Sequence, residues 1–489
     1  MMDTETDTLT GCPQAGGDPM TVADVLSATG GSLLSGHESV PLNSVEIDSR
    51  TLKPGALFVA ICGTNHDGHV FLAEVIRQGV KGVLVDETAF KKMPEYQRLK
   101  KETTCIGVAD TTRALGDLAA YKRRHADIQV VAITGSNGKT TTKRLTAAVF
   151  GRKYETLANR GNFNNEIGLP LTLFRLKPTH QWAVLELGMN HFGEIRRLSA
   201  ICRPDMGIIT NIAPCHLEGV GSIEGVLRAK SELLENIRPG GTVILNRDDP
   251  YLVKLGTRAD RDVLFFGESG KADIRARSIR ETPDGINFTL ELPGERISVR
   301  LPAIGRFMVA NALAAAAAGY LAGIPGKVIG EGLAQFRREP GRLNIISPVQ
   351  GMTIIDDTYN ANPASVAAAM NTLVALAGKG RSILVLGDML ELGDEADSLH
   401  RQVGELAGRI GISRMYITGS HASAVAAGAR ASGLDQHQIV TGEKKTITKA
   451  LENELQSGDR VLVKGSRGSA METVVASIKK WAARQGNNH

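Results

Sequence analysis

The stretch Ile128-Gln129-Val130-Val131-Ala132-Ile133-Thr134-Gly135-Ser136-Asn137-Gly138-Lys139-Thr140-Thr141 decides the fold. Its unbroken apolar run reads as a strand buried on both faces, the habit of a central strand in a parallel sheet. A glycine-rich turn follows, and then helical spacing. In such a unit the glycines let the backbone curl until its N–H groups face a phosphate. The helix N-terminus adds positive potential. Lys139 can reach a terminal phosphate, and the Thr140 hydroxyl can hold Mg2+. Gly135, Ser136, Asn137, Gly138, Lys139, Thr140 and Thr141 are therefore the expected phosphate-binding residues. The spacing is G-x-x-G-K-T, with Ile133 where the general phosphate loop has its first glycine. An ordinary turn with a surface lysine is the bland alternative. A phosphate loop implies a nucleotide and leaves the reaction open.

Outward from this unit the chain alternates strands and helices. Strands are expected at Ala183–Leu187, Met206–Thr210 and Thr242–Leu245. That alternation predicts an α/β fold with a central doubly wound sheet. Arg275–Val299 alternates polar and apolar residues, as a small antiparallel insertion would. Before the central block, Ala56–Ala60 and Gly82–Val85 read as strands and Phe71–Gln78 as a helix. After it, Thr353–Ile355, Ser382–Leu386, Arg414–Thr418 and Arg460–Lys464 read as strands, with helices over Pro363–Leu376 and Asp397–Gly411. The charged Pro-Gly connection Arg337–Gly341 marks a boundary. The expected organisation is a loose tail over residues 1–20 and three blocks over 21–125, 126–338 and 339–489.

Composition narrows the function. The 489-residue chain is 42% hydrophobic and 22% charged, enough for each block to bury its own core. Its net charge of +5 suits anionic small substrates, and 4% aromatic content argues against a stacking platform for nucleic acid. The densest basic run, Lys122-Arg123-Arg124, reads as a solvated helix face. Five cysteines at wide spacing suit a reducing compartment. Residues 1–20 lack the pattern of a secretory signal, and Ala312–Ile324 is too short to span a bilayer. A cytoplasmic chain with no membrane insertion is expected.

Three further residues draw attention. Glu186 ends a strand, where carboxylates face the ligand crevice and suit Mg2+; it could equally be a surface residue. His216 lies just past another strand, although a lone histidine is more often structural. Lys230 sits in a helical stretch, where a lysine is usually solvated.

Taken in order, these segments resemble the Mur ligase family: G-S-N-G-K-T, then Glu186-Leu187-Gly188-Met189-Asn190, then Asn211–Glu218, then Ala229-Lys230-Ser231-Glu232. Asp48-Ser49-Arg50, Asp67-Gly68-His69, Asp356–Asn362, Leu386–Gly393 and Lys464–Gly468 resemble the branch of that family that adds D-alanyl-D-alanine. The similarity spans roughly residues 40 to 475.

The resemblance implies an ATP-dependent ligase acting on a UDP-N-acetylmuramoyl-tripeptide and D-alanyl-D-alanine. It implies a UDP-sugar domain, an ATP domain and a mobile Rossmann-like third domain for the dipeptide. Lys139, Glu186, His216 and Lys230 would be catalytic. Two Mg2+ ions would be served by Thr140, Glu186, His216 and a carbamylated Lys230. Asn311 would contact adenine, Arg342 the γ-phosphate and Asp357 the ribose. Asn162, Asn164, Asn190 and His191 would line the muramoyl-peptide site, with Ser49 and Arg50 near the UDP end. Asp388 and Lys464 would serve the dipeptide, Asp388 together with Glu391 near its amine. Neither nucleic acid nor a second subunit is expected.

The chain departs from its relatives at Phe307-Met308, where they carry His-Asn. Each residue also has a plainer reading. Asn311 could cap the helix that follows, Asp356-Asp357 could solvate a strand end, Tyr359 could be core, and Lys464 and Arg467 could form a basic loop. Another amino-acid or folylpolyglutamate ligase of the family, a phosphate-loop kinase, or a non-catalytic nucleotide-binding module would share the loop. Only a ligase of the expected type makes amide, ADP and phosphate together in the presence of D-alanyl-D-alanine.

Overall fold

The computed structural model describes residues 20–63, 66–282, 284–349 and 351–486. The expected tail lies outside these residues except for Met20, which opens a two-residue strand paired with Pro41–Leu42. Three sheets follow one another along the chain. The first has five strands in the order Ser32–Ser35, Thr104–Val108, Gly82–Asp86, Leu57–Val59, Val45–Glu46, parallel except at the first pair.

The central sheet has nine strands, with Gln129–Thr134 in its interior between Met206–Ile209 and Trp182–Glu186. Every residue from Val130 to Thr134 is buried, as the apolar run requires. From Gln129–Thr134 the chain crosses to Thr156–Ala158 on one side, whereas Met206–Ile209 opens the other side. The order therefore reverses at this strand, and a crevice opens beyond its C-terminal end.

The strands Ile274–Thr282, Gly285–Leu292 and Glu295–Leu301 are antiparallel, as their alternation predicted. They are not a separate insertion. Ile274–Thr282 pairs with Asp262–Gly267, so the hairpins extend the same sheet to its edge.

Behind the sheet the helix Met308–Leu321 packs on the helix Lys139–Phe150. Ala312 through Ala318 are all buried, and a methyl group on Gly319 would stand 2.8 Å from Val149 Cγ1. Small side chains thus let the phosphate-loop helix seat closely. Asn311 lies inside this helix, so the reading of it as a cap is wrong; the helix begins at Met308, three residues earlier.

The third sheet has six strands in the order Asn344–Val349, Met352–Asp357, Arg460–Lys464, Ser382–Leu386, Arg414–Ile417, Ile439–Thr441. All but the first pair are parallel. The helix Pro363–Ala377 starts at Asn362, which caps it with a reciprocal bond to Ser365.

The run Lys122–Arg124 corrects the sequence reading. Arg123 is buried and donates to the Cys202 carbonyl at 2.9 Å, while Lys122 donates to Phe174 O at 2.7 Å. Only Arg124 is exposed. The run joins the helix Thr111–Arg124 to the central block, because burying the other helix face brings partner carbonyls within reach. Among the described residues no helix is long and apolar enough to cross a membrane.

Candidate active site

The phosphate loop is shaped by two glycines in left-handed or extended positive-φ geometry, Gly135 at +145° and Gly138 at +81°. A Cβ on Gly135 would lie 1.9 Å from Thr210 Oγ1, and one on Gly138 would lie 2.3 Å from Asn311 Oδ1. The next strand end fastens the loop. Ser136 N donates to Asn211 O, Asn137 N to Asn211 Oδ1, and Thr210 Oγ1 to Asn137 O at 2.6 Å. Lys139 folds back on its own loop, donating to Gly135 O at 2.8 Å.

A cavity of about 670 Å³ opens over this loop. Its walls gather Ser136 through Thr141, Asn162, Asn164, Glu186, Asn190, His216 and Asn311 with Arg342, Asp357 and Lys464 from the third block. Most of the expected site residues thus meet in one place. Ser49, Arg50, Gly135, His191, Lys230 and Asp388 are not on its walls.

Glu186 is 2% exposed at its strand end. Its Oε1 accepts from Asn164 Nδ2 at 2.8 Å. Its Oε2 has no hydrogen-bond partner and stands 3.3 Å from Lys143 Nζ. Burial pushes the Glu186 carboxyl up; the ammonium of Lys143, then Lys139, Arg342 and the Asn164 bond more than reverse this and hold it below its usual range. Lys143 is itself buried and donates to Gly161 O at 3.0 Å, so it ties Glu186 to the loop bearing Asn162 and Asn164. Sequence reading passed over Lys143. The signal was its spacing, four residues after Lys139, which puts both amines on one helix face.

The donors suit Mg2+. Glu186 offers a buried oxygen without a hydrogen-bond partner, and Thr140 lines the same wall. Among the described residues no cluster of three His, Cys, Asp or Glu side chains could hold a metal unaided. Mg2+ ordinarily takes one or two carboxylates and draws its other ligands from phosphate and water.

His216 adopts the left-handed conformation at φ 53°, and its Nδ1 meets Glu391 Oε2 at 2.6 Å. Burial lowers the imidazole pKa, while the His216 bond lowers that of Glu391. Lys230 is fully buried and its Nζ lacks any hydrogen-bond partner. Burial lowers its pKa from 10.5 to about 8. This is no solvated helix lysine, so the plain reading of it fails.

The third block approaches through its linker. Asp356 accepts from Gly341 N, Asp357 from Leu343 N, and between them Arg342 stacks on Tyr359 at 3.9 Å. Asp357 and Lys464, expected at different ligands, pair with each other at 2.5 Å. Asn362, the helix cap, also donates to Asn137 Oδ1 at 2.9 Å and so touches the phosphate loop directly.

Asp388 has a scaffolding task. It accepts from Ser420 N and His421 N and leaves Gly419 no room for a side chain. Arg50 is exposed and forks onto Asp48, with Ser49 half-buried between them. Asn311 accepts from Thr142 Oγ1 at 3.3 Å. Phe307 lines the cavity with part of its ring exposed.

Residues 41–123 match the Mur ligase family catalytic domain, 133–319 the Mur ligase middle domain, and 341–467 the Mur ligase glutamate ligase domain. The UDP-N-acetylmuramoyl-tripeptide–D-alanyl-D-alanine ligase of Escherichia coli is 38% identical over 445 residues, covering 90% of this chain and 94% of that protein. A crystal structure of MurF from Acinetobacter baumannii superposes with a TM-score of 0.87 at 34% identity, over 95% of this chain and 99% of that one. MurF from Thermotoga maritima in complex with ADP gives 0.80 at 26% identity, over 90% and 98%.

Proposed function

This chain belongs to the Mur ligase family, and on that premise we propose that it joins D-alanyl-D-alanine to the terminal carboxylate of a UDP-N-acetylmuramoyl-tripeptide in peptidoglycan precursor synthesis. It is an ATP-dependent acid–amino-acid ligase. The observation that carries the reading is the single cavity where a phosphate loop, the buried carboxylate Glu186 and Arg342 of a different block converge. In this reading residues 21–125 take the UDP-sugar, with Ser49 and Arg50 near it. Residues 126–338 take ATP, and 339–489 take the dipeptide.

A free carboxylate is a poor acyl donor because oxide leaves badly. Transfer of the γ-phosphoryl group to it makes an acyl phosphate, whose phosphate leaves readily. Lys139, released from Gly135 O, would offset the repulsion between the two anions, and Arg342 would meet the γ-phosphate from the opposite wall. Asn162, Asn164, Asn190 and His191 would orient the tripeptide. The neutral amine of the dipeptide then attacks, and the tetrahedral species collapses to amide and phosphate. The protein contributes position and charge, not a nucleophile. Mg2+ held by Thr140, and a second ion served by Glu186, His216 and a carbamylated Lys230, would supply further charge stabilisation.

A Lys230 pKa of about 8 supports carbamylation. At pH 7 the neutral amine, the form that adds carbon dioxide, is therefore more abundant than at an ordinary lysine. The carbamate would convert an unpaired buried cation into an anion. Because the enzyme consumes ATP and a nucleotide-linked substrate, we further propose that it acts in the cytoplasm.

Phosphate release is assayed with ATP, UDP-muramoyl tripeptide and either D-alanyl-D-alanine or single amino acids. Release that needs both tripeptide and dipeptide is expected, with amide, ADP and phosphate in equal amounts. Turnover with single amino acids alone, or with no acceptor, overturns the assignment.

A further inference from the structure

The antiparallel edge of the central sheet has two unlike faces. On the inner one Ala276, Phe288, Leu290 and Val299 are buried. On the outer one the register aligns three cross-strand rows: Arg275–Glu291–Arg296, Arg277–Thr289–Ser298 and Arg280–Asn287–Arg300. Five of the nine positions are arginine. Arg275, Arg296 and Arg277 crowd the one carboxylate of the grid, Glu291, at 2.6, 3.1 and 3.7 Å. Arg300 finds its nearest carboxylate at the turn, Asp284, 3.9 Å away. The side chains of Arg296 and Arg300 remain 77% and 71% exposed. Positive charge is thus in surplus on a solvent-facing surface of roughly 10 by 15 Å.

We propose that this face docks the enzyme on an anionic phospholipid surface. Guanidinium groups present paired N–H donors that match phosphate oxygens and shed water more readily than ammonium groups. Clustered basic side chains are drawn to an anionic leaflet without inserting into it. The grid contains no aliphatic or aromatic residue. A specific protein partner would need an apolar core to its interface, and a single-stranded nucleic acid would need stacking rings. A planar, fluid array of phosphodiesters needs neither. None of the five arginines lines the catalytic cavity, so docking leaves it open.

The test is co-sedimentation of the full chain with vesicles of phosphatidylglycerol and phosphatidylcholine, or of phosphatidylcholine alone. Binding to the anionic vesicles only, released when salt is raised to about 0.5 M, is expected. The triple variant Arg277→Glu, Arg280→Glu, Arg300→Glu should bind at least about tenfold more weakly and keep its phosphate-release activity. Should it fail to fold, the milder pair Arg280→Gln, Arg300→Gln is read instead, with a smaller loss in the same direction. Absence of binding by the unaltered protein overturns the proposal. So does undiminished binding by a folded variant, or retention on RNA or polyglutamate without retention on vesicles.

Discussion

At Lys230 a single side chain carries opposing demands of stability and chemistry. An ammonium buried without a partner is costly. Lys230→Met keeps the shape and removes the charge, so in bicarbonate-free buffer it should stabilise the fold by about 1–3 kcal/mol while abolishing turnover. Calorimetric melting together with phosphate release checks both. The sign of the pH dependence follows from the depressed value. Between about 8 and 10.5 the unfolded chain binds the proton and the folded one does not, so the wild type gains stability as pH rises through that window. The advantage of Lys230→Met should therefore be largest below pH 8 and shrink above it. Lys143 acts on Glu186 in the other direction, favouring ionisation. Lys143→Met should move the acid limb of the kcat/KM profile to higher pH and lower kcat by about tenfold or more. An unmoved limb would reduce Lys143 to a packing residue.

At the scale of the element, the phosphate loop is a turn whose glycines are fixed by what lies beyond the chain's own neighbours. Gly138 needs φ +81°, and a Cβ there would fall in space that Asn311 occupies from a helix far along the sequence. Gly138→Ala should cost about 1–3 kcal/mol and weaken nucleotide binding by about tenfold or more, measured by thermal melting and by fluorescent-nucleotide titration. The loop Gly387–Gly393 is held as firmly, through Asp388 to Ser420 and His421 and through His400 Nε2, which accepts from Met389 N at 3.0 Å. In the sequence the segment stood out only by its resemblance to the D-alanyl-D-alanine-adding branch of the family. That Asp388 braces the loop, while Glu391 reaches outward, depended on which carboxylate the bracing backbone amides could reach.

Across the whole molecule, the central and third blocks meet through a few polar contacts close to the cavity. They include Asn362 to Asn137, Glu391 to His216, the backbone bond from Glu218 N to Glu391 O at 3.3 Å, and Arg144 to Glu339 at 3.4 Å. Few contacts over a cavity are what a movable domain requires. The double variant Asn362→Ala, Glu391→Ala should enlarge the radius of gyration of the ligand-free enzyme in small-angle scattering, with nucleotide and tripeptide restoring the compact form. Identical curves for variant and wild type would mean that closure is held elsewhere.

The sequence by itself determined the α/β class, the central strand, the phosphate loop and the order of the family segments, because these depend on periodicity and on glycine, which act over a few neighbouring residues. It also marked Lys139, Glu186, Arg342 and Asp357, which meet at one cavity. Tertiary structure alone decided that the Arg275–Val299 strands extend the main sheet, that Arg123 is buried between blocks, and that Lys230 has lost its solvent. It alone paired Asp357 with Lys464 and His216 with Glu391. Burial and charge pairing are set by groups tens to hundreds of residues away, and no local pattern records how far apart they will fold.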